Sequence, residues 1–570
     1  MANFIKTQNS FADGEVSPEF FARDNINGLS KLENMDVLAS GAISRRAGLT
    51  SIAKLSGPAK IISFSVAENQ DYIIVMSDYK ITIYYNNEFY QQLETPWPYD
   101  ALSFIQYAQR FGTMILVHPD YRPYILQKED DAFKLSIFYF ERTENLTFNM
   151  PFMRFDDSVD VRITIGTHAL GNNYAMFTTN INFWTPDSVG TRLELLNNQW
   201  EITEYISPTQ VVAYVNAAYT MPNGPVSDWY ESAFSNRRGW PRSITFHQDR
   251  LVFGGSRAWP SGIWMSKVGN HKNFKVGTGL DDEAIFVSLL SQERQEICTV
   301  VSSDNLQILT NSGEWAISNK PLTPSSVDIK QHTSVGSYMQ CFLAPQKIEG
   351  STIFVSSNGC DIRELCLDDI GEKYNANDLC ALSKHLMTAP VDIVYNSNKR
   401  QLFVVHDNGN ISVLNHNTTL GISAWGMYTT NGRFMSVAVC GGKTYVVINR
   451  DETIYLEYFD ETALVDFGKY SFSFTASGLP LRTSNHNATC IKVRKVVARV
   501  IGTKSLSINS HHITLPNEVY DTSSDGYAGD VSISLLGTMK NAIEPMWTIH
   551  GSEPMPVTVL SVTVHGWYNI

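Results

Sequence analysis

Cysteine is scarce and one-sided: there are seven in 570 residues, the first is Cys298, and no two stand in CxxC spacing. An odd count without metal-ligand spacing excludes a disulfide framework or a zinc module as the organising device and reads as reduced, buried thiols. Long apolar runs are also missing, so no segment reads as a membrane-spanning helix. Residues 1–10 hold one lysine and no apolar core of signal-peptide length, and the expectation is a chain without a secretory address. Positive charge is in deficit: 44 lysines and arginines face 57 carboxylates, a net charge of −13. That balance excludes a general nucleic-acid coat, which needs clustered cations to displace counterions.

The short motifs of common catalysis are absent too. There is no GxSxG elbow, no phosphate-cradling GxxxxGK[ST] and no HExxH. Asp281, Asp282 and Glu283 are consecutive and, if extended, alternate in direction, so they do not converge as a glycosidase pair must. His511 and His512 lack an acidic or thiol partner at metal spacing. Residues 521–526, DTSSDG, lack the alternating ligands and closing glutamate of a calcium loop. Asn145 and Asn487 open N-x-T acceptors that mean nothing without secretion. The reading is a protein that is not an enzyme, with no cofactor and no metal.

What the chain does have is a repeated phrase: an apolar run, a tight polar turn, a second apolar run. The first copy is YIIVM and ITIYY around Ser77, Asp78, Tyr79 and Lys80. Others turn at residues 118–123, 254–262, 311–314, 357–361, 407–410 and 449–453. Most are about 40 to 55 residues apart, the period of β-propeller blades. An apolar fraction of 43% and an aromatic fraction of 12% supply the core such a scaffold needs.

The spacing breaks between Pro123 and Gly254, where residues 159–165, 192–196, 200–205 and 211–214 read as strands of an inserted β domain. Residues 221–240, rich in Pro, Gly, Ser, Trp and Arg, read as an exposed return connection. Ser17, Pro18 and Glu19 form a helix-start signal, and Leu29, Leu32, Met35 and Leu38 follow at near-helical spacing, predicting a short N-terminal helix. The fold class expected is all-β: a β-propeller-like body, an inserted small β domain, a C-terminal β-sandwich-like platform domain and a short N-terminal helical segment. The divisions are an arm and helix at 1–55, first blades at 56–145, the insertion at 146–241, remaining blades at 242–465 and the sandwich at 466–570.

Two long stretches carry a resemblance. They are FADGEVSPEFFARDNINGLSKLENMDVLASGAISRRAGL, residues 11–49, and RSITFHQDRLVFGGSRAWPSGIWMSKVGNHKNF, residues 242–274. They are followed by LTNSGEWAIS at 309–318 and EPMPVTVLSV at 553–562. In order and nearly end to end, the chain resembles the tail tubular, nozzle or hub proteins of short-tailed bacteriophages. The resemblance implies a homohexameric ring in the virion tail, made and assembled in the host bacterial cytoplasm. It would sit below the portal and adaptor ring, prolong the DNA channel and dock tail fibres or spikes. Double-stranded DNA would pass through it, and it would meet the host envelope at ejection. An acidic lumen would suit that passage, because few counterions are released and the duplex slides.

Six residues are singled out. Phe20 and Phe21 are adjacent and cannot share one helix face, so one reading places one of them on a neighbouring subunit and the other buries both in one core. Arg45 and Arg46 are suited to fork-like carboxylate pairing across a subunit or adaptor interface, or else form a solvated basic turn. Trp259 and Trp264 give a hairpin an aromatic payload, as blade packing or as an exposed binding surface. Two other functions stand beside the tail reading: a propeller adhesin or lectin that grips host glycan through those tryptophans, and a polysaccharide-degrading propeller hydrolase.

Overall fold

The computed structural model describes residues 2–21, 23, 26–144, 146–171, 173–217, 219–368, 373–480, 491–515, 525–540 and 544–568. The second N-glycosylation acceptor at Asn487, most of the DTSSDG segment, Asn145 and Cys490 lie outside them. The chain forms two compact units, one of residues 1–102, 343–368 and 375–570, the other of Ser103–Phe342 with a short later segment ending at Tyr374.

The fold is all-β with a propeller-like body. Among the described residues, six four-stranded antiparallel sheets span residues 60–94, 106–137, 243–288, 297–333, 346–378 and 433–460, the last completed by Gly48–Lys54. A seventh four-stranded meander, residues 390–428, opens a ten-stranded sheet. Each of the seven expected hairpins is the central strand pair of one of these meanders. The turns are built as their sequences demand. Between Arg450 and Thr453, Asp451 and Glu452 both take positive φ (47° and 63°), the left-handed pair that matches the twist of a two-residue hairpin. Central strands are buried on both faces, as in Gln401–His406 and Arg250–Gly254, which is why they read as unbroken apolar runs and not as alternation.

Within the first unit, first strands pack side by side: Lys60–Ala67 on Arg433–Cys440, that strand on Pro390–Asn396, and that on Gln346–Ile348. Within the second, Gln106–Arg110, Ser243–His247 and Ile297–Ser302 do the same. In each unit the meanders therefore stack face on face. Leu49, Phe403, Val437, Ile448 and Phe459 make one such inter-sheet core, and Phe138, Phe234, Phe253 and Trp264 another.

The break in the repeat holds a seven-stranded antiparallel sheet between Phe152–Met153 and Trp229–Ser232, cored by Trp184, Trp200, Trp229, Phe177 and Phe183. The return segment 221–240 is not an exposed connection. Its middle is the strand Trp229–Ser232, and Ala233, Phe234 and Arg238 are buried. The arginine-rich composition that suggested a loop is spent internally: Arg238 pairs with Glu231 (2.6 Å) and Asp157 (2.9 Å) and lies over Phe155.

Both chain ends build the sandwich. One sheet runs Met35–Val37, Ile43–Arg45, Thr558–Tyr568, Ile491–Thr503, Tyr527–Lys540, with Ala2–Gln8 also on Thr558–Tyr568. The other continues the 390–428 meander through Gly14–Glu15, Gly28–Glu33, Phe474–Gly478, Thr548–Gly551 and Ser507–Ile508. Leu29, Leu32, Ile43, Val496, Ile549 and Val562 share the core between them.

The expected helix shrinks to a single 3-10 turn at Pro18–Phe20. Beyond it Gly28–Glu33 and Met35–Val37 are strands. Two irregularities explain the helix-like spacing of their apolar residues. The pairing with Phe474–Gly478 shifts register between Leu29 and Lys31, which turns Leu29 and Leu32 to one side, and Asn34 at φ 54° resets the alternation before Met35.

Candidate functional site

Arg45 and Arg46 lie on the strand Ile43–Arg45 and the residue after it, where N-terminal strands meet the end of the chain. Arg46 is 1% exposed. Its five N–H groups are all used: Nε to Asn34 Oδ1 (2.8 Å), Nη1 to Ala47 O (2.8 Å) and Asp466 Oδ1 (3.0 Å), Nη2 to Thr429 O (2.9 Å) and Asp466 Oδ2 (2.8 Å). The guanidinium stacks on Phe472 at 3.7 Å. Arg45 donates to the carbonyls of Glu553 (2.7 Å), Met555 (3.0 Å), Leu464 (3.0 Å) and Phe472 (3.3 Å). Burial, with Arg46 beside it, lowers its pKa to about 10. The expected carboxylate pairing occurs for Arg46 alone, with Asp466 of the same chain, while Arg45 binds only backbone carbonyls. Both are interior side chains, Arg46 fully bonded and Arg45 bonded through Nη1 and Nη2 with its buried Nε unpartnered, so they do not form a solvated basic turn.

Beside this hub lies a cavity of about 270 Å³ lined by Asp36, Lys399, Gln401, Phe403, Tyr428 and Phe459, among others. Asp36 accepts hydrogen bonds from the Tyr428 hydroxyl and from Gln401 Nε2 (2.7 Å). Burial raises the Asp36 carboxyl above its ordinary range, against the lowering pull of the Tyr428 hydrogen bond. Tyr428 is raised well above its usual value by burial and by that neighbouring carboxylate. Lys399 and Glu461 pair at the rim. The site can hold a proton and a small polar group, and no serine, cysteine or histidine lines it.

The described residues also bring together a Ser–His–carboxylate chain that sequence spacing hid, since its members are 368 and 370 positions apart. His385 Nδ1 lies 2.7 Å from Ser17 Oγ, and Nε2 lies 2.9 Å from Glu15 Oε1. Glu15 Oε2 accepts from the Leu32 amide (2.7 Å), and Ser383 Oγ donates to Glu15 O. The composition resembles a hydrolytic relay, but Ser17 is 2% exposed, so its hydroxyl is closed to a substrate carbonyl. It serves as a clamp that fixes the turn at Pro18–Phe20 to the segment around His385.

Asp361, Asp378 and Cys380 converge within 4.8 Å. Their charge is already compensated: Lys384 Nζ is 3.1 Å from Asp361 and 3.2 Å from Asp378, and Arg363 is 3.1 Å from Asp361. Burial pushes the Cys380 thiol up to about 12, which disfavours the thiolate a metal would want.

Trp264 is 1% exposed and packs on Phe234 (4.8 Å) and Phe286 (5.3 Å), so it is core and not part of an exposed hairpin. Its face of the central blade strand is covered by the preceding meander, through Ile115 and Ile125, and by Phe138 and Phe234. Trp259 is half-buried, its indole donating to Ser288 Oγ (3.2 Å). Phe20 and Phe21 are half-buried at the 3-10 turn, with Arg23 over Phe20. Asp282 pairs with Lys267 (2.8 Å), and Glu283 accepts from the amides of Gly279 and Leu280, so the acidic run is a self-contained loop.

No protein-family model matches this chain, and no curated protein sequence matches it. Among solved structures it is similar to the Pan2 WD40 domain of Neurospora crassa, at 9% identity and TM-score 0.33 over 73% of this chain and 95% of that one. It is likewise similar to BamB from Moraxella catarrhalis, at 11% identity and TM-score 0.33 over 73% and 98%. The propeller-like assignment rests on the strand pairing set out above.

Proposed function

We propose that this chain is a structural virion protein: the nozzle or hub of a short phage tail, assembled as a homohexameric ring below the portal and adaptor. It prolongs the DNA channel, docks fibres or spikes and guides genome ejection. It works without catalysis or cofactor. The observation that carries the reading is the meeting of the motifs behind the resemblance. Residues 11–49 and 553–562 are far apart in sequence, yet Arg45 holds the Glu553 and Met555 carbonyls, and Ile43 and Ser44 pair with Val559 and Thr558. In the second unit, residues 242–274 and 309–318 lie in meanders whose first strands pack together. The stretches that carry the resemblance thus meet pairwise, one pair within each unit, and this supports the reading.

The net charge of −13 supports transit of DNA through a wall that does not hold it. The adhesin reading loses Trp264, which is core. Electron microscopy of the purified chain tests the proposal: a closed six-fold ring with an axial hole is expected, and a particle that never forms a ring overturns it.

A further inference from the structure

One sheet face contradicts the charge of the chain around it. The strand Ile491–Thr503 carries Lys492, Arg494, Lys495 and Arg499 and no carboxylate. Val493, Val496, Ala498 and Val500 point into the sandwich core, which leaves the cations on the outer face. The register shift between Val493 and Lys495 turns Arg494 and Lys495 out together, adding a charge that strict alternation would have hidden. Arg499 is tied to Asp530 (2.7 Å) and Arg494 lies over Trp567 (4.7 Å), while Lys492 and Lys495 have no carboxylate partner among the described residues. The neighbouring edge strand Tyr527–Lys540 shows Leu536 and Met539, at 109% and 57% exposure. Bare apolar residues on the strand beside these cations suit a protein surface better than a phosphate backbone, which offers nothing to Leu536.

The complementary surface exists on the same chain. Between Lys60 and Leu102 six carboxylates face two lysines. That meander ends in the edge strand Glu88–Glu94, where Glu88 and Glu94 are exposed and unpaired among the described residues and Phe89 is 63% exposed. We infer that the basic sandwich face of one copy seats on the acidic outer edge, Glu88–Glu94, of a second copy. The contact is heterologous, the type that propagates around a ring, and it removes unpaired cations from any DNA path. The inference rests on the ring reading above and names its interface.

Sedimentation velocity of the full-length chain at low and high salt tests it, with K492E/R494E/K495E, E88K/E94K and the two sets combined. Each reversal alone is expected to weaken self-association at least about tenfold, and the combined swap to restore it to within about threefold of wild type. Circular dichroism checks that each variant folds, and Lys495→Glu alone replaces the triple variant if that one does not. A wild-type chain that stays monomeric, association indifferent to either reversal, or a combined variant that is not restored overturns the interface. Electron microscopy separates the two readings. A six-fold ring that persists unchanged in the reversed variants keeps the nozzle proposal and rejects this contact. An open, non-cyclic assembly that obeys the charge swap keeps the contact and rejects the ring.

Discussion

Arg46 and Asp466, 420 positions apart, form a two-pronged ion pair at 2.8 and 3.0 Å with side chains 0% and 1% exposed. The pair closes a junction at which residues 34, 429, 466 and 472 meet, and the adjacent Arg45 extends it to residues 553 and 555. Replacing Arg46 with Met strands a buried carboxylate. The expected loss is about 3–5 kcal/mol, whereas replacing both partners with apolar residues costs much less. Urea unfolding followed by tryptophan fluorescence measures both, and equal losses for the single and double variants would contradict the account.

Two buried histidines set an acid limit. Burial lowers His118 and His406 to about 4. Unfolded, each takes a proton near pH 6.5; folded, each resists until about pH 4. Their contribution is complete above pH 6.5 and falls away as pH drops through that window, by up to about 3 kcal/mol for each. Thermal midpoints against pH should decline from pH 6.5 towards 4, and His406→Gln should flatten that slope.

Asp36 acts in the opposite sense. Its carboxyl is raised by burial, so the folded state holds the proton more readily and the penalty appears as pH rises past the ordinary carboxylate value. Asp36→Asn is therefore expected to cost little or to stabilise at neutral pH and to lose any advantage at acid pH. A large neutral-pH loss in its melting temperature would show that the charged form is the one the site prefers.

The thiols divide by burial. Cys298, Cys380 and Cys440 are buried with pKa raised, the latter two to about 12, while Cys360 is exposed. Alkylation mapped by mass spectrometry should label Cys360 in the native protein and the other three only after unfolding.

Trp264 and Trp259 separate packing from binding. Trp264→Ala is expected to destabilise by about 3–5 kcal/mol, and Trp259→Ala by clearly less. Thermal melts rank them; an unaffected melt for Trp264→Ala together with lost glycan binding would revive the adhesin reading.

The repeat was readable in the sequence because central blade strands are buried on both faces and most of their turns hold a left-handed residue, Tyr79 in YIIVM-SDYK-ITIYY. The N-terminal strands were not, because the shift at Leu29–Lys31 and the positive φ of Asn34 give strands a helical spacing of apolar residues. Arg45 and Arg46 were visible as carboxylate binders, but composition cannot say that Asp466 lies within reach. The Ser17–His385–Glu15 clamp left no local signal, since chain topology alone joins its parts. The cations of Ile491–Thr503 were in plain view. Only the register shift makes them a face.

The central claim is a ring. Cryo-electron microscopy of the assembled protein measures it directly: the account predicts closed six-fold symmetry around an axial hole wide enough for duplex DNA. A monomer, or an assembly without an axial passage, would contradict it.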